Sequence, residues 1–312
     1  MKPASQKAAI IDMGTNTFHL IIVEWAGMQY QVLRKLQLPV KLGKGGFEHG
    51  LIQEDAYERG IAAIKEFKAL IKTYKVEKVN AYGTSALRNA SNAPGFQKEV
   101  EHILHTPIQI IDGIKEAELI YEGVRKAVPL GEEPNLIMDI GGGSVEFIIA
   151  DATHIYWKQS YEIGAARLLE RFHHSDPINK ESISAMREFI DEVLEEVWRR
   201  CEKYEIKTLV GASGTFESIA EMDMNIYYSH SRSMPFVHHI VALKHFSEIA
   251  ARIIGSTREE LYQMPGLALF RVEMITVGIL LIKFVVAKLK IKKIIASDYA
   301  LKEGILFQIM EG

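Results

Sequence analysis

The sequence predicts an α/β protein built from two similar domains. Two observations predict this class: strand-like and helix-like segments alternate along the chain, and the same order of segments begins again near its middle. With 312 residues the chain is also long enough for two hydrophobic cores. We expect a first domain at residues 1–128, completed by about residues 298–312, and a second domain at residues 129–297.

The first half begins with a strand, a polar turn and a second strand over residues 8–25, because apolar, β-favouring residues flank a polar centre. Residues 54–74 carry apolar side chains every three or four positions, which is the spacing of an amphipathic helix. The other elements predicted here are a third strand at 30–40, a strand at 76–82, a polar stretch at 83–95, a helix at 97–104, a strand at 107–111 and a helix at 114–127.

The second half repeats this order after a turn-rich connector at residues 129–134. Residues 135–151 again predict a strand, a glycine turn and a strand, and residues 180–204 predict one long amphipathic helix. The other elements predicted here are a strand at 154–160, a helix at 164–172, a strand at 208–210, an irregular histidine-containing region at 225–239, helices at 243–254, 258–264 and 272–289, a strand at 293–296 and a closing helix at 300–310.

A shift of the chain by 127 positions aligns the two halves. Asp12 then falls on Asp139, and DMGTNTFHLII in the first copy matches DIGGGSVEFII in the second. Such an internal repeat indicates duplication of one α/β unit. The two matching turns are therefore expected to face each other.

The repeated turns also predict a phosphate site. A turn of small residues can direct several backbone N–H groups at one anion, and small side chains let a phosphate come close. A single turn of this kind is usually only a tight hairpin, but two aligned copies favour function. The phosphate-binding residues predicted in the two turns are Gly14, Thr15, Asn16, Thr17, Gly141, Gly142, Gly143 and Ser144.

Acidic residues beside these turns predict a bound metal ion. A carboxylate next to a phosphate is repelled unless a cation lies between them, and Mg²⁺ is held by one or two carboxylates with waters and phosphate oxygens. The predicted ligands are Asp12, Asp139 and Glu146, and the predicted ion is Mg²⁺, with Mn²⁺ as the alternative.

Composition excludes several other classes. The net charge of −3 and pI near 6.4 show no basic surplus typical of a nucleic-acid-binding protein. The single cysteine, Cys201, excludes an internal disulfide and a cysteine-based zinc cage, and it suits a reducing cytosol. The longest apolar stretch, at residues 274–282, is too short to span a membrane. We therefore expect a cytoplasmic protein without a targeting segment, a membrane partner or a specific nucleic-acid partner.

Six segments together resemble the exopolyphosphatase/guanosine-pentaphosphate phosphatase (Ppx/GppA) family, which is part of the sugar kinase, Hsp70 and actin superfamily. They occur in the family's order and cover nearly the whole chain. The segments are DMGTNTFHL at 12–20, GTSALRNASN at 83–92, GIKEAELI at 113–120, DIGGGSVEF at 139–147, GASGT at 211–215 and ASDYALKEGIL at 296–306.

The resemblance implies two ribonuclease-H-like domains of the actin-like ATPase type, each with a mixed five-stranded sheet flanked by helices, and a cleft between them. It implies a hydrolase that removes terminal phosphate from inorganic polyphosphate or the 5′ γ-phosphate from guanosine pentaphosphate. It further implies a homodimer, although the long apolar helices are equally explained by an internal core.

The resemblance also implies roles for particular residues. Glu116 matches the expected general base, and Arg88 matches an arginine expected to reach the substrate. Gly214 and Thr215 match a further phosphate-side turn, while Asp139 and Glu146 match expected magnesium ligands.

The chain departs from the family motif on both sides of the Glu116–Ala117 pair. Lys115 stands where a glutamate is usual, and Glu118 stands where an arginine is usual. Lys115 could contact a phosphate or lower the pKa of Glu116. The chain also resembles the short form of the family, without the C-terminal HD-type region of longer members.

Two other functions remain open at this stage. The same turns could serve an actin-like kinase or ATPase, because a fold does not determine its chemistry. A regulator that binds polyphosphate or a guanosine alarmone without turnover is the second alternative. His19 aligns with Glu146 in the repeat and is interpreted as a hydrogen-bonded hairpin residue, with a position near the cleft as the alternative. His173, His174, His238 and His239 are interpreted as surface or loop residues.

Overall fold

The computed structural model describes residues 5–27, 29–47, 49–228 and 236–311. Within these residues the chain forms two mixed β-sheets flanked by helices, which confirms the predicted α/β class. Part of the region predicted to be irregular, residues 229–235, lies outside the described residues.

The first sheet has five strands in the order β3-β2-β1-β4-β5. The antiparallel pairs are β1 with β2 and β2 with β3, while β4 runs parallel to both β1 and β5. The strands are β1 (Gln6–Met13), β2 (Phe18–Ala26), β3 (Gln29–Leu38), β4 (Lys78–Gly83) and β5 (Ile108–Ile110).

The second sheet repeats this topology and adds an edge strand, in the order β10-β11-β9-β6-β7-β8. Without β10 the order and strand directions match those of the first sheet, which supports the duplication. The strands are β6 (Asn135–Ile140), β7 (Val145–Ala150), β8 (Ile155–Tyr161), β9 (Thr208–Ala212), β10 (His238–Val241) and β11 (Lys293–Ser297).

Helices follow the strands in both halves. Those of the first half are α1 (Glu54–Thr73), α2 (Ser85–Asn89), α3 (Ala93–Leu104) and α4 (Gly113–Ala127). Those of the second half are α5 (Ala165–Phe172), α6 (Lys180–Val193), α7 (Glu195–Lys203), α8 (Gly214–Tyr227), α9 (Leu243–Gly255), α10 (Arg258–Tyr262), α11 (Val272–Leu289) and α12 (Leu301–Glu311).

Two local predictions were wrong. The helix expected at residues 180–204 is broken at Leu194, where the backbone leaves helical geometry with φ −98° and ψ 17°. The polar stretch at 83–95, for which no element was predicted, contains α2 and the start of α3. The second sheet has a sixth strand because His238–Val241 pairs antiparallel with β11, although its sequence lacks an apolar run.

The sheets divide the molecule into three hydrophobic layers. Alternate residues of β1 point to opposite faces, so Ala9 and Ile11 join the layer with α1 and α3, while Ala8 and Ile10 join a central layer. The central layer lies between the two sheets and contains residues of α4 and α12. The third layer covers the other face of the second sheet and includes most residues of α11. Among the described helices, none combines the length and the apolar character that a membrane span needs.

Helices α4 and α12 cross at very close range in the central layer. A Cβ atom added to Gly123 would overlap the carbonyl of Ala300, and one added to Gly304 would overlap the carbonyl of Leu119. Glycine at both positions lets the two backbones touch. Because α4 follows β5 and α12 follows β11, this contact joins equivalent helices of the two halves.

We expect Gly304→Ala to lower the free energy of unfolding by about 1–3 kcal/mol, because the added methyl group forces the two helices apart. Gly95→Ala is the matched control, since Gly95 is also helical and an added Cβ meets nothing within 4 Å. The control is expected to stabilise by up to about 1 kcal/mol through helix propensity alone. Urea unfolding of both variants tests this, and equal stabilisation by both would contradict the close crossing.

Candidate functional site

The two repeated turns have the same geometry. The Gly14 N–H donates to the Thr17 carbonyl at 3.1 Å, and the Gly141 N–H donates to the Ser144 carbonyl at 3.0 Å. The strand register also repeats, since Asp12 lies opposite His19 and Asp139 lies opposite Glu146. Each copy therefore places a carboxylate at the end of a strand, directly before its turn.

Carbonyl groups in both turns accept hydrogen bonds from backbone N–H groups of neighbouring segments. In the first turn, Thr15 and Asn16 accept hydrogen bonds from the N–H groups of Gly43 and Lys41. In the second turn, the carbonyls of residues 141–143 accept from N–H groups at residues 164–166, where α5 begins. Because a planar, trans peptide unit directs its N–H away from its carbonyl, we expect the N–H groups of residues 16–17 and 142–144 to point away from these bonds. The same residues line the cleft.

The turns approach each other closely across the cleft. A Cβ atom added to Gly143 would lie 2.5 Å from Thr15 Oγ1, and one added to Gly142 would lie 3.1 Å from the Asn16 nitrogen. Larger side chains in the second turn would therefore fill the space between the halves. Glycine at these two positions lets the turns of the two halves come this close.

A third turn, at residues 211–215, completes the cleft. Ser213 has φ 66° and ψ −178°, a conformation that is rare for a residue with a side chain and costs about 1–3 kcal/mol. It directly precedes α8, so the N–H groups of Gly214 and Thr215 lie at the start of that helix. Helix starts favour anions because their N–H groups lack partners within the helix.

These turns enclose a cavity of about 120 Å³. Every residue predicted for phosphate or metal binding lines it, and so does Glu116. Arg88 lies beside the cavity and donates from Nη1 to Glu116 Oε2 at 3.0 Å and to the Ile111 carbonyl at 2.9 Å. His19 also lines the cavity, so the structure supports the less favoured of its two interpretations.

Five acidic side chains line this cleft, and one of them, Glu217, pairs with Arg271. Glu116, Asp139 and Glu146 are buried, and Asp12 has a buried Oδ1 atom without a hydrogen-bond partner. Burial is the main cause that raises their pKa values, because a charge is less stable away from water. The acids also act on one another: Glu146 and Asp12 raise the pKa of Glu116, and Asp139 raises that of Glu146.

The pKa values of these acids are raised to different extents. Burial raises the pKa of Asp12 to about 7, with Lys302 opposing the shift, and that of Asp139 to about 6, with a hydrogen bond from Ser213 opposing it. The pKa of Glu146 rises to about 8, although the Ser160 hydroxyl donates to its Oε1 at 2.7 Å. The pKa of Glu116 lies well above its ordinary range despite the ion pair with Arg88.

Comparison with known proteins places this geometry in a family. Residues 21–312 match the model of the Ppx/GppA phosphatase family. The chain belongs to that family.

Solved structures and a sequence relative agree with the assignment to the Ppx/GppA family. An exopolyphosphatase from Cytophaga hutchinsonii is 37% identical, with 98% of each chain covered and a TM-score of 0.94. The Aquifex aeolicus family member is 26% identical, with 99% of each chain covered and a TM-score of 0.80. The fit of the whole chain confirms the predicted two-domain, actin-like fold class.

A relative from Photobacterium profundum is named guanosine-5′-triphosphate,3′-diphosphate pyrophosphatase. It is 29% identical over 99% of this chain, and this chain spans 60% of that relative's length.

The two departures from the Ppx/GppA motif lie outside the cleft lining. Lys115 Nζ is 3.5 Å from Glu118 Oε2, and Lys158 Nζ is 2.8 Å from the other carboxylate oxygen of Glu118. The pKa of Glu116 is raised, not lowered as an effect of Lys115 would require. Of the two possible roles of Lys115, a lowered pKa of Glu116 is not supported, because burial and the neighbouring acids raise that pKa. A contact between Lys115 and a phosphate stays a prediction.

Sequence reasoning missed two cations of the cleft. Lys302 lies at the start of α12, and the acids around it raise its pKa although burial opposes the shift. Arg271 donates to Glu217 at 3.0 Å, and its guanidinium occupies the space that a side chain on Gly214 would need. Lys302 lies within the segment 296–306 that resembles the Ppx/GppA family, but the resemblance assigned no role to this residue.

One histidine prediction was also wrong. His239 lies in β10 and contacts Asp223 at 2.6 Å, while His245 contacts the other oxygen of Asp223 at 2.7 Å. Asp223 is fully buried, so His239 belongs to an internal polar cluster instead of a surface loop. This role depends on contacts between distant segments, and nothing in the local sequence indicates it.

The cleft residues fit the predicted Mg²⁺ ion only if a bound phosphate substrate and water supply part of its coordination. In the described part of the chain, no three His, Cys, Asp or Glu side chains converge as a metal-binding group. Mg²⁺ does not require such a group, since it commonly uses one or two carboxylates with waters and substrate phosphates. The unpartnered Oδ1 of Asp12 and the hard oxygen donors of Asp139 and Glu146 suit this ion.

The raised pKa of Asp12 predicts a pH-dependent effect of Asp12→Asn in metal-free buffer. The unfolded carboxyl ionises near pH 4 and the folded one near pH 7, so its burial reduces stability progressively as pH rises through this range. Asp12→Asn removes this cost and should raise the free energy of unfolding by about 1–3 kcal/mol more at pH 8 than at pH 4.

Urea unfolding with EDTA at both pH values measures the effect of Asp12→Asn. The same change at pH 4 and pH 8 would show that burial of the charge is not what perturbs this carboxyl.

Proposed function

We propose that this chain is a phosphoanhydride hydrolase that releases terminal orthophosphate from inorganic polyphosphate, the 5′ γ-phosphate of guanosine pentaphosphate, or both. The observation that carries the proposal is the pairing of Glu116 with Arg88 beside a cavity lined by the three turns that are predicted to bind phosphate. The names of the relatives from Cytophaga hutchinsonii and Photobacterium profundum support this substrate class.

Glu116 is the proposed general base. It lies in the first turn of α4, whose start is fixed by Asp112: the Asp112 side chain accepts from the Lys115 N–H at 2.7 Å, and its carbonyl accepts from the Glu116 N–H at 2.9 Å. The raised pKa of Glu116 makes its carboxylate more basic than a solvent-exposed one. It would orient a water molecule and accept its proton as the water attacks phosphorus.

The turns and the cations would hold the phosphates. The Gly14 and Gly141 N–H groups are used inside their turns, but the N–H groups at residues 16–17, 142–144 and 214–215 would suit equatorial phosphate oxygens, where negative charge is spread in phosphoryl transfer. Arg88, Arg271 and Lys302 add positive charge around the same cavity. Because the cleft excludes much of the solvent, these interactions are stronger than they would be in water.

Mg²⁺ is the proposed cofactor, with Mn²⁺ as the alternative, and Asp12, Asp139 and Glu146 would hold it. When bound, the ion would neutralise charge on the phosphate oxygens. It would also lower the repulsion between those oxygens and the acids of the cleft.

Glu116→Gln is expected to reduce phosphate release by about 100- to 10,000-fold, because Gln keeps the shape but cannot accept the proton. The control is Glu122→Gln on the same helix, where the carboxylate pairs with Arg125 outside the cleft. Its rate should remain within about two-fold of the wild type. The measurement is orthophosphate release in the presence of Mg²⁺.

Comparison of long-chain polyphosphate, guanosine pentaphosphate and ATP in the same assay would rank the substrates. Release from either of the first two that is lost in Glu116→Gln supports the proposal. Binding of one of them by the wild type without any release would instead support the regulator, and transfer of phosphate from ATP to an acceptor would support the kinase.

A further inference from the structure

Four residues from two parts of the chain donate hydrogen bonds to the carboxylate of Glu162: Ser85, Arg88, Asn89 and Arg167. Ser85 Oγ donates to Oε2 at 2.7 Å, Arg167 Nη2 donates to Oε2 at 2.9 Å, and Arg88 Nη2 donates to Oε1 at 3.2 Å. Glu162 and Arg167 flank the start of α5, whereas Ser85 and Arg88 belong to α2. The contact therefore links the two halves of the molecule.

Glu162 and its donors adjoin the turn at residues 141–144, which is proposed to bind phosphate. Arg167 Nε donates to the Gly143 carbonyl at 2.9 Å, and Ser85 lines the same cavity as Glu116. The Glu162 side chain is 40% exposed, whereas that of Glu116 is 9% exposed. Glu162 thus lies at the mouth of the cleft and Glu116 lies at depth.

The Arg88 guanidinium connects these two positions. Its Nη1 donates to Glu116 and its Nη2 donates to Glu162, so one side chain is shared between two carboxylates. A chain of phosphates that ends at Glu116 would extend past Arg88 toward the mouth. Its next phosphates would meet the groups that now contact Glu162.

The donors around Glu162 suit a phosphate as well as a carboxylate. Two guanidinium groups and a hydroxyl offer N–H and O–H bonds to an oxyanion, and arginine binds phosphate oxygens in the same forked geometry that it uses for carboxylates. Burial tends to raise the pKa of Glu162, but the hydrogen bonds from Ser85 and Asn89 and the charge of Arg167 outweigh it and lower the pKa. The anionic form is the one that these donors stabilise.

We propose that Ser85, Arg88 and Arg167 form a second phosphate subsite at the mouth of the cleft, which the Glu162 carboxylate occupies until a polyphosphate chain displaces it. The subsite would bind a substrate phosphate that is not the one attacked at Glu116. Glu162 is then a specificity-determining residue, because a ligand must compete with it. This inference rests on the proposed function for the identity of the ligand.

The test measures binding of inorganic tripolyphosphate with Mg²⁺ by calorimetry, in proteins that all carry Glu116→Gln to suppress turnover. Glu162→Gln removes the competing charge and should tighten binding by about 3- to 10-fold. Arg167→Gln removes a donor and should weaken binding by about 10-fold. Glu170→Gln, an exposed change of equal charge on α5, is the control and should change binding less than about two-fold.

The double variant Glu162→Gln/Arg167→Gln distinguishes the subsite from a general charge effect. If Glu162 competes for Arg167, most of the gain from Glu162→Gln disappears when Arg167 is absent. The proposal is overturned if Glu162→Gln binds no tighter than Glu170→Gln, if the gain is the same without Arg167, or if none of the proteins binds tripolyphosphate. Thermal unfolding of each variant checks that its fold is intact.

Phosphate release by the otherwise wild-type chain separates this inference from the proposed function. Turnover together with an unchanged affinity in Glu162→Gln would refute the subsite and leave the hydrolase. Tight tripolyphosphate binding that responds to Glu162 and Arg167, without turnover, would refute the hydrolase and leave the subsite.

Discussion

The close crossing of α4 and α12 is the constraint on which the rest of the structure depends. Gly123 and Gly304 let the two helices touch through their backbones, and the pair fills the layer between the sheets. Both helices begin at the cleft, so the crossing sets the positions of Glu116 at the start of one and Lys302 at the start of the other. A carboxylate and a cation from distant parts of the chain are thereby held in one cavity.

The second constraint is the burial of charge. Five carboxylates line one small cavity, and burial raises the pKa of four of them, Asp12, Glu116, Asp139 and Glu146. Arg88, Arg271 and Lys302 offset part of the charge. An anionic ligand alone would add to the repulsion, and a cation alone would lack most of its ligands. Phosphate and Mg²⁺ together satisfy both conditions, which is why we propose them as a pair.

At the mouth of the cleft, the proposed phosphate subsite coincides with a contact between the two halves of the molecule. Glu162 contacts Ser85 and Arg88 across that boundary, while the turns at Thr15 and Gly143 approach each other beside it. A phosphate bound at this position would replace an internal ion pair with contacts of similar chemistry. Entry of a long anion and separation of the Glu162 contacts are therefore coupled events in the mechanism that we propose.

The sequence alone predicted the duplicated fold and most of the cleft, because these depend on local patterns. The strand–turn–strand repeat required no knowledge of distant contacts, and its alignment placed Asp12 and Asp139 in equivalent positions. The resemblance to a family added Glu116 and Arg88, and the structure pairs these two side chains.

Tertiary structure decided what depends on long-range packing. The break between α6 and α7 at Leu194 cannot be recognised in the sequence, because the buried apolar stripe through Ile190, Leu194 and Val197 continues across it. The cleft roles of Lys302 and Arg271 arise from the helix crossing and from the third turn. The contacts of Glu162 arise where segments more than 70 residues apart meet. A charged side chain has the same local sequence signal whether it faces solvent or a buried partner, so only the folded chain distinguishes these roles.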